Sequence, residues 1–557
     1  MSEACGRLFV AAGDNGPFGP RGLVQRSGVP LVSQGMLILW LTFARLLPVV
    51  VLDARGAPLP APLSFWQTVA AFELRMSITR HQTRSAPDSP ASAGAPKVHV
   101  VTFGCQMNKY DSELVEGRFR RRGYATTESM DDADVLLFNT CSVRDHAEER
   151  TWSWVGELKR AKERRPDLVI GIMGCMAQRV EEEVFKRAGH VDLVAGTRQF
   201  QNLPHMVDQV RERRAAQGAT QATSRLVATE TSDDVHVDRT DVPFEGGSHA
   251  YLAVMRGCDL SCTYCIVPTT RGRVRSRNLE DLLREVRWMV AGGVRVITLL
   301  GQTVNSYGED FDPPTGDESR GTGRQGRPSL ADLLRHLQEV EGLARIRLIT
   351  LHPSYVTRAF AEAIRDCDKV ERFLPLPAQA GSDAILRGMK RGYNLDLYRR
   401  RADILREIVP DIELGSDWIV GFPGEEEADF QGTLDFLEEQ QFLVNYVFKY
   451  DPRPGTHADE RLANSVSDAI KKERNQRLLA AAERVQRGRC ERVVGQDVPA
   501  WLERVSERDP GLLLGRTLSG MPVSCPGPTD WVNSQRIVRL DTATPFGVAG
   551  FDVPAPA

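Results

Sequence analysis

Cys258, Cys262 and Cys265 stand within eight residues of one another, in the segment MRGCDLSCTYCIVPTTRGRVRSR that begins at Met255. Thiolates are soft metal ligands, and a CxxxCxxC loop places three of them around one inorganic centre. Zinc completes a tetrahedron and wants a fourth Cys or His nearby. None follows within the next dozen residues. Three thiolates match instead a 4Fe–4S cluster whose fourth iron stays open.

Three further cysteines share a different kind of position. Cys105 follows the apolar run VHVVTFG, Cys141 follows DVLLFNT, and Cys175 follows LVIGIMG. In an open parallel sheet the carboxyl ends of the strands meet at one edge, where ligands bind. Cysteines distant in sequence are therefore expected to converge there as a second three-thiol site. Cys5, Cys367, Cys490 and Cys525 show no spacing logic and read as structural.

The elements that must position these groups are α/β in character. From Lys97, short apolar runs alternate with polar helical stretches such as 111–122 and 146–164. That pattern predicts a parallel sheet covered on both faces over 97–215. Residues 216–245 read as a polar linker. From 246 to 467 six strand–helix repeats (YLAVMRG, VRVITLLGQ, RIRLITLHP, RFLPLPAQ, IELGSDWIVGF, NYVFKYDP) predict a partial TIM-type barrel. A basic helix over 468–491 and a small all-β domain over 492–557 complete the chain. Residues 309–328, rich in Gly, Pro and charge, read as a loop.

The chain has 557 residues, 41% hydrophobic and 26% charged, with a formal net charge of −3. No global field draws it to nucleic acid, so such a partner must meet local basic patches. Ten cysteines in this length are too few for a disulfide scaffold and point to a reducing compartment. Residues 1–96 differ from the rest: an apolar stretch at 29–52 is broken by Arg45 and Pro48, and a Ser/Pro/Ala-rich segment follows. The reading is an extension ahead of a true start at Met76; a transit peptide or an anchor are the alternatives, and no membrane span is expected.

The cysteine loop on the first strand–helix connection of a barrel resembles the radical S-adenosylmethionine enzymes. With an upstream three-Cys domain and a downstream β domain, residues 97 to about 551 resemble the methylthiotransferases of that superfamily. GCQMNKYDSE, NTCSVRDHAEER and CIVP place the resemblance nearest the members that act on tRNA; GQTVNSYG, SDWIVGFPGE and YDPRPGTHA also match. The resemblance implies two 4Fe–4S clusters, on Cys258, Cys262 and Cys265 and on Cys105, Cys141 and Cys175. It implies S-adenosylmethionine as radical source and methyl donor, and methylthiolation of carbon 2 of N6-dimethylallyladenosine beside the anticodon. Threonylcarbamoyladenosine in tRNA or a ribosomal-protein aspartate are the alternative substrates. It also implies tRNA, a one-electron reductant such as flavodoxin or ferredoxin, and a sulfur or cluster donor as partners, for a cytoplasmic monomer. No acid or base side chain is needed for the radical step.

Further candidates lie near this chemistry. Tyr264, inside the cysteine loop, is a candidate to pack on the cofactor's adenine. Gln302, Asn305, Asp417, Gly421, Gly424 and Glu425 stand at strand ends, where S-adenosylmethionine or substrate would be met. Thr303, Pro375 and Ala380 depart from the family pattern, where Asn, His and Ser are usual; these changes bear on fine positioning rather than on reaction type. Arg271, Arg273, Arg275 and Arg277 alternate, and an extended segment would align them on one face for phosphates. A solvated, ion-paired face is the competing reading. The all-β domain resembles the RNA-binding TRAM barrel, although residues 492–557 hold six Arg against seven Asp/Glu. An iron–sulfur carrier and a zinc-bound RNA module are the readings from other classes.

Overall fold

The computed structural model describes residues 94–142, 145–217, 224–230, 244, 246–315, 320–544 and 547–553. The expected extension up to residue 93 and most of the expected linker lie outside them. All described residues belong to the compact unit Pro87–Ala557.

The first part is a single parallel sheet. Its strands are β1 (Lys97–Thr102), β2 (Ala125–Thr126), β3 (Val135–Thr140), β4 (Val169–Gly174), β5 (Leu193–Ala195) and β6 (Leu226–Ala228), in the order β2-β1-β3-β4-β5-β6. β3 and β4 are buried at every residue, because helices cover both faces. On one side α1 (Gln106–Arg121) contributes Val115 and Phe119 to the core. On the other, α2 (Asp145–Arg164) contributes Val155 and Leu158. Two short helices, α3 (Cys175–Val180) and α4 (Glu183–Arg187), follow β4, and α5 (Leu203–Gln217) packs Leu203 and Val207 beside α1. β6 falls within the expected linker. Three residues carry no periodicity of their own, and pairing with β5 is what makes them a strand.

The second part is the partial barrel. β7 (His249–Ala253), β10 (Val296–Leu300) and β11 (Arg345–Leu348) pair in parallel, as do β12 (Phe373–Pro375), β13 (Glu413–Val420) and β14 (Val444–Lys449). A parallel bridge from Ile346 to Val370 joins the two sets. The short hairpin β8 (Met255–Arg256) and β9 (Arg275–Ser276) brackets the cysteine loop. The helices are α6 (Val267–Arg271), α7 (Leu279–Ala291), α8 (Leu330–Gln338), α9 (Arg358–Asp366), α10 (Asp383–Gly388), α11 (Leu395–Ile408), α12 (Glu427–Gln440) and α13 (His457–Arg461). Local signals start them: Asn278 and Thr357 cap α7 and α9, and Ser329 with Asp332 forms a capping box on α8. One continuous apolar core fills the space between strands and helices.

Helix α14 (Asp468–Glu491) runs along β14 and α12. β15 (Asp497–Val505), β16 (Leu512–Thr517), β17 (Pro522–Pro526), β18 (Ser534–Thr544) and β19 (Gly547–Asp552) close into a five-stranded barrel. This small barrel sits at the amino ends of the partial barrel's strands. Asn533 meets Ser248 ahead of β7, Arg345 at the start of β11 donates to Gln535 at 2.6 Å, and Arg372 ahead of β12 donates to the Leu518 carbonyl at 2.7 Å. Glu503 reaches up to Arg347, which also pairs with Glu371 at 2.8 Å. The opposite, carboxyl-end face is left to the cysteines.

Candidate active site

The barrel's cysteine loop is fixed by backbone bonds from several elements. The Cys258 N–H donates to the Gly272 carbonyl at 3.0 Å, and the Cys265 N–H to the Cys262 carbonyl at 3.1 Å. Thr263 ties the loop to α10 through its N–H to Met389 O (3.0 Å), and the Ala458 N–H of α13 donates to Thr263 O at 2.8 Å. Gly257 has φ +80, and a Cβ there would lie 1.9 Å from the Arg273 carbonyl oxygen, so only glycine fits. Gln302 supports the same turn, its Oε1 accepting from the Gly257 N–H at 2.5 Å.

The three thiols differ in surroundings. Cys258 and Cys262 are buried and Cys265 is partly so. Thr303 Oγ1 lies 3.5 Å from Cys258 Sγ, and the buried Arg391 donates from Nη1 to Cys262 Sγ at 3.2 Å and from Nε to Tyr393 Oη at 3.2 Å. Burial raises the Cys258 thiol and pushes Cys265 up to about 12. Such thiols give up their protons when a cation takes their place. Among the described residues no three His, Cys, Asp or Glu side chains close on one metal ion. A cluster, whose thiolates each hold a different iron, is what the donor set fits.

The first sheet gathers its cysteines at its carboxyl edge. Cys105 is the exposed residue ahead of α1, while Cys141 and Cys175 are buried after β3 and β4. The loops touch: at Gly104 (φ +131) a Cβ would stand 2.7 Å from the Cys141 Cβ. Two buried amides lock them. Asn108 donates to Asn139 Oδ1 and to the Thr140 carbonyl, both at 2.9 Å, and Asn139 donates back to the Asn108 carbonyl at 2.8 Å and to Ser112 Oγ at 3.0 Å. Burial raises the Cys175 thiol, while the nearby guanidinium of Arg271 pulls the other way.

The two groups of cysteines lie on facing surfaces. Met107, Tyr110 and Leu114 of α1 pack against Ala253 and Leu300 at the carboxyl ends of β7 and β10. Thr197 Oγ1 donates to the Thr270 carbonyl at 2.6 Å, and Arg198 to the Arg271 carbonyl at 2.8 Å. Arg453, on the loop after β14, feels the charge of Cys141 across this interface.

The arginine row expected to face phosphates does not form. Arg271 ends helix α6 and Gly272 turns the chain at φ +74, so only Arg275 and Ser276 are extended. Arg271 is buried against Asp111, and Arg277 is buried against Glu285 at 2.6 Å. Arg273 is exposed beside Asp259, and Arg275 is half-buried. The basic helix is likewise ion-paired: Arg474 and Arg489 turn inward to Glu425 and Glu413 of the barrel, and the exposed Arg477 and Arg484 pair with Glu427 and Glu438 on the surface.

Other candidates from the sequence are engaged in shaping the face. Both amide atoms of Asn305 bond the His352 backbone at 2.9 Å. Glu425 is buried, accepts from the Gly421 N–H at 2.8 Å and from Arg474 at 2.8 Å, and so braces the Gly421–Glu425 turn rather than reaching outward. Gly424 donates to Ser465 Oγ at 2.9 Å. Tyr264 meets Phe422 edge-on at 6.4 Å, and Asp417 lies on β13 in register with Tyr446 of β14. Of the three departures from the family pattern, Thr303 touches Cys258, Ala380 is buried and Pro375 lies in β12. Asn108, Asn139, Asp111, Arg256, Arg391 and Arg453 were not singled out in the sequence; only the proximity of the first three to Cys105 and Cys141 offered a signal.

The family models match in the same order. A model described as uncharacterized protein family UPF0004 matches residues 97–196, and the radical SAM superfamily matches residues 252–437. The barrel and its cysteine loop are thus those of a radical S-adenosylmethionine enzyme. The tRNA-2-methylthio-N(6)-dimethylallyladenosine synthase of Rhodopirellula baltica is 39% identical over 420 residues, 74% of this chain and 84% of that one. That of Symbiobacterium thermophilum is 38% identical over 465 residues, 83% of this chain and 95% of that one. The chain belongs to the tRNA-2-methylthio-N(6)-dimethylallyladenosine synthase family. Among solved structures, a radical S-adenosylmethionine methyltransferase from Kitasatospora setae matches with a TM-score of 0.45 and 14% identity over 66% of this chain and 77% of that one, too loosely to carry an argument.

Proposed function

We propose that the chain methylthiolates carbon 2 of N6-dimethylallyladenosine beside the anticodon of tRNA. The observation that carries this reading is the facing pair of cysteine triplets in a member of this family. Cys258, Cys262 and Cys265 would hold one 4Fe–4S cluster with an open iron for S-adenosylmethionine, and Cys105, Cys141 and Cys175 the second. Bound there, the groups supply one-electron cleavage of S-adenosylmethionine at the first site and sulfur at the second.

The protein's own residues do the positioning. Gly257, Gln302 and Thr303 set the height of the Cys258 side of the loop. Arg391 offers a buried positive charge to Cys262. Tyr264 offers an aromatic ring inside the loop, edge-on to Phe422, and Asp417 a carboxylate on β13. Packing of α1 on the strand ends buries Met107, Tyr110 and Leu114 between the two cysteine-bearing faces.

RNA contact is assigned to the exposed Arg273, the half-buried Arg275 and the small C-terminal barrel, read as TRAM-like. Among the described residues no helix is long and apolar enough to cross a membrane. A cytoplasmic monomer served by a flavodoxin- or ferredoxin-type reductant and a sulfur donor completes the reading. Threonylcarbamoyladenosine and a ribosomal-protein aspartate are not favoured by the relatives.

The test is anaerobic reconstitution with iron and sulfide, then incubation with dithionite, S-adenosylmethionine and prenylated tRNA. The expected result is about eight irons per chain, 5′-deoxyadenosine, and a methylthio-adenosine nucleoside. Cofactor cleavage with unmodified tRNA would overturn the substrate; four irons would overturn the second site.

A further inference from the structure

Arg271 follows the barrel's cysteine loop directly, yet its side chain serves the other domain. It is 5% exposed, and its Nη2 donates to Asp111 Oδ2 at 3.0 Å. Arg256 brings a second guanidinium to within 2.9 Å of Asp111 Oδ1. That contact is out of line for a hydrogen bond, so the oxygen is met by charge alone. Two guanidiniums on one carboxylate leave a net positive charge in a dry interface, which is unfavourable unless a further anion lies nearby.

The missing anion has an evident place. Helix α6, which ends in Arg271, packs on α3, which begins at Cys175, and the Arg271 guanidinium lies within electrostatic reach of both Cys175 and Cys105. The backbone around it is pinned to the first domain through Thr197 on Thr270 O, and through Arg198 on the carbonyls of Arg271 and Arg273.

We propose that Arg271, anchored by Asp111, is a positioning residue for the first-domain cluster, tying that cluster to the barrel's cysteine loop and raising its reduction potential. This rests on the reading of Cys105, Cys141 and Cys175 as cluster ligands. One-electron reduction by dithionite adds a negative charge to the cluster and breaks no bond. A guanidinium beside a ligand sulfur stabilises that added charge, and net charge and hydrogen bonds to sulfur are what set such potentials.

The experiment uses the full chain with Cys258, Cys262 and Cys265 changed to Ala, so that only the first-domain cluster is present, and follows its reduction by potentiometric EPR. Arg271→Gln is expected to lower the reduced fraction at a fixed potential about tenfold, equivalent to about 59 mV for a one-electron couple. Arg271→Lys, which keeps the charge, should recover most of that loss. Asp111→Asn, which removes the counter-charge, should shift the potential the opposite way. Equal potentials in the parent and all three variants would overturn the inference alone. A parent chain that takes up no iron would overturn the cluster reading and this inference with it.

Discussion

Gly257→Ala tests the geometry of the barrel's cysteine loop at one atom. The residue adopts φ +80, where a side chain costs about 1–3 kcal/mol. The larger effect is steric. The new Cβ would stand 1.9 Å from the Arg273 carbonyl oxygen and 2.5 Å from its carbon, where real Cβ contacts stay beyond 3.0 Å. Both atoms are backbone, so the β8–β9 hairpin must open by about 1 Å, carrying Cys258 with it. The bonds from Cys258 N to Gly272 O and from Gly257 N to Gln302 would break together. A misplacement of that size is worth about 10²-fold in rate. The expected result is loss of about four of eight irons after reconstitution, with 5′-deoxyadenosine formation falling on the order of 100-fold. Gly272→Ala is the control: its φ is +74, but its Cβ would meet only the Arg198 guanidinium, at 3.2 Å, and no backbone atom. It should cost about 1–2 kcal/mol of stability and keep its iron. If Gly257→Ala retained full iron and cleaved the cofactor within about twofold of the parent, a 1 Å loop shift would not matter and the reasoning would fail.

Three other outcomes follow from the structure. Asn139→Ala removes one of the two acceptors of the buried Asn108 amide and the side-chain donor to the Asn108 carbonyl; it should cost about 1–3 kcal/mol in a denaturant titration and lower iron at the first-domain site while sparing the barrel site. Arg474→Met leaves the buried Glu425 without its cation and should cost about 3–5 kcal/mol; cofactor cleavage per folded chain should be unchanged if Glu425 only braces its turn. His352 is buried, and burial, then the neighbouring Arg391, lowers its pKa to about 3. The unfolded chain therefore binds that proton first, so stability should fall as pH drops from about 6.5 toward 3, by about 1.4 kcal/mol per unit. His352→Asn should flatten that part of the melting-temperature profile.

How much of this could be read from the sequence depended on range. The strands ending at Cys105, Cys141 and Cys175 are continuous apolar runs, so both the sheet and the shared edge were legible. So were the barrel repeats, each carrying its own helix. β6 was not legible, since Leu226–Ala228 becomes a strand only against β5. The arginines were misread for a related reason. Period-two spacing implies a shared face only in a strand, and a glycine at positive φ after Arg271 breaks the segment. Whether Arg271 and Arg277 meet solvent is decided by Asp111 and Glu285, and Asp111 is 160 residues away. Glu425 was legible as a strand-end carboxylate, but its partner Arg474 sits in a helix 49 residues later. Local pattern located the groups; long-range partners decided which were free.

The placement of the small C-terminal barrel has a consequence for what can serve as substrate. It braces the amino ends of the strands, whereas the cysteines occupy the carboxyl ends. Strands of up to eight residues separate the two faces, β13 alone rising about 26 Å. On the proposal that this domain grips RNA, the RNA would have to run from the amino-end face to the carboxyl-end face before a base could enter the reaction chamber. The enzyme would then act as a ruler: a free nucleoside or a short oligonucleotide could touch one end or the other, and only a folded stem long enough to span both would be held with its target base in place.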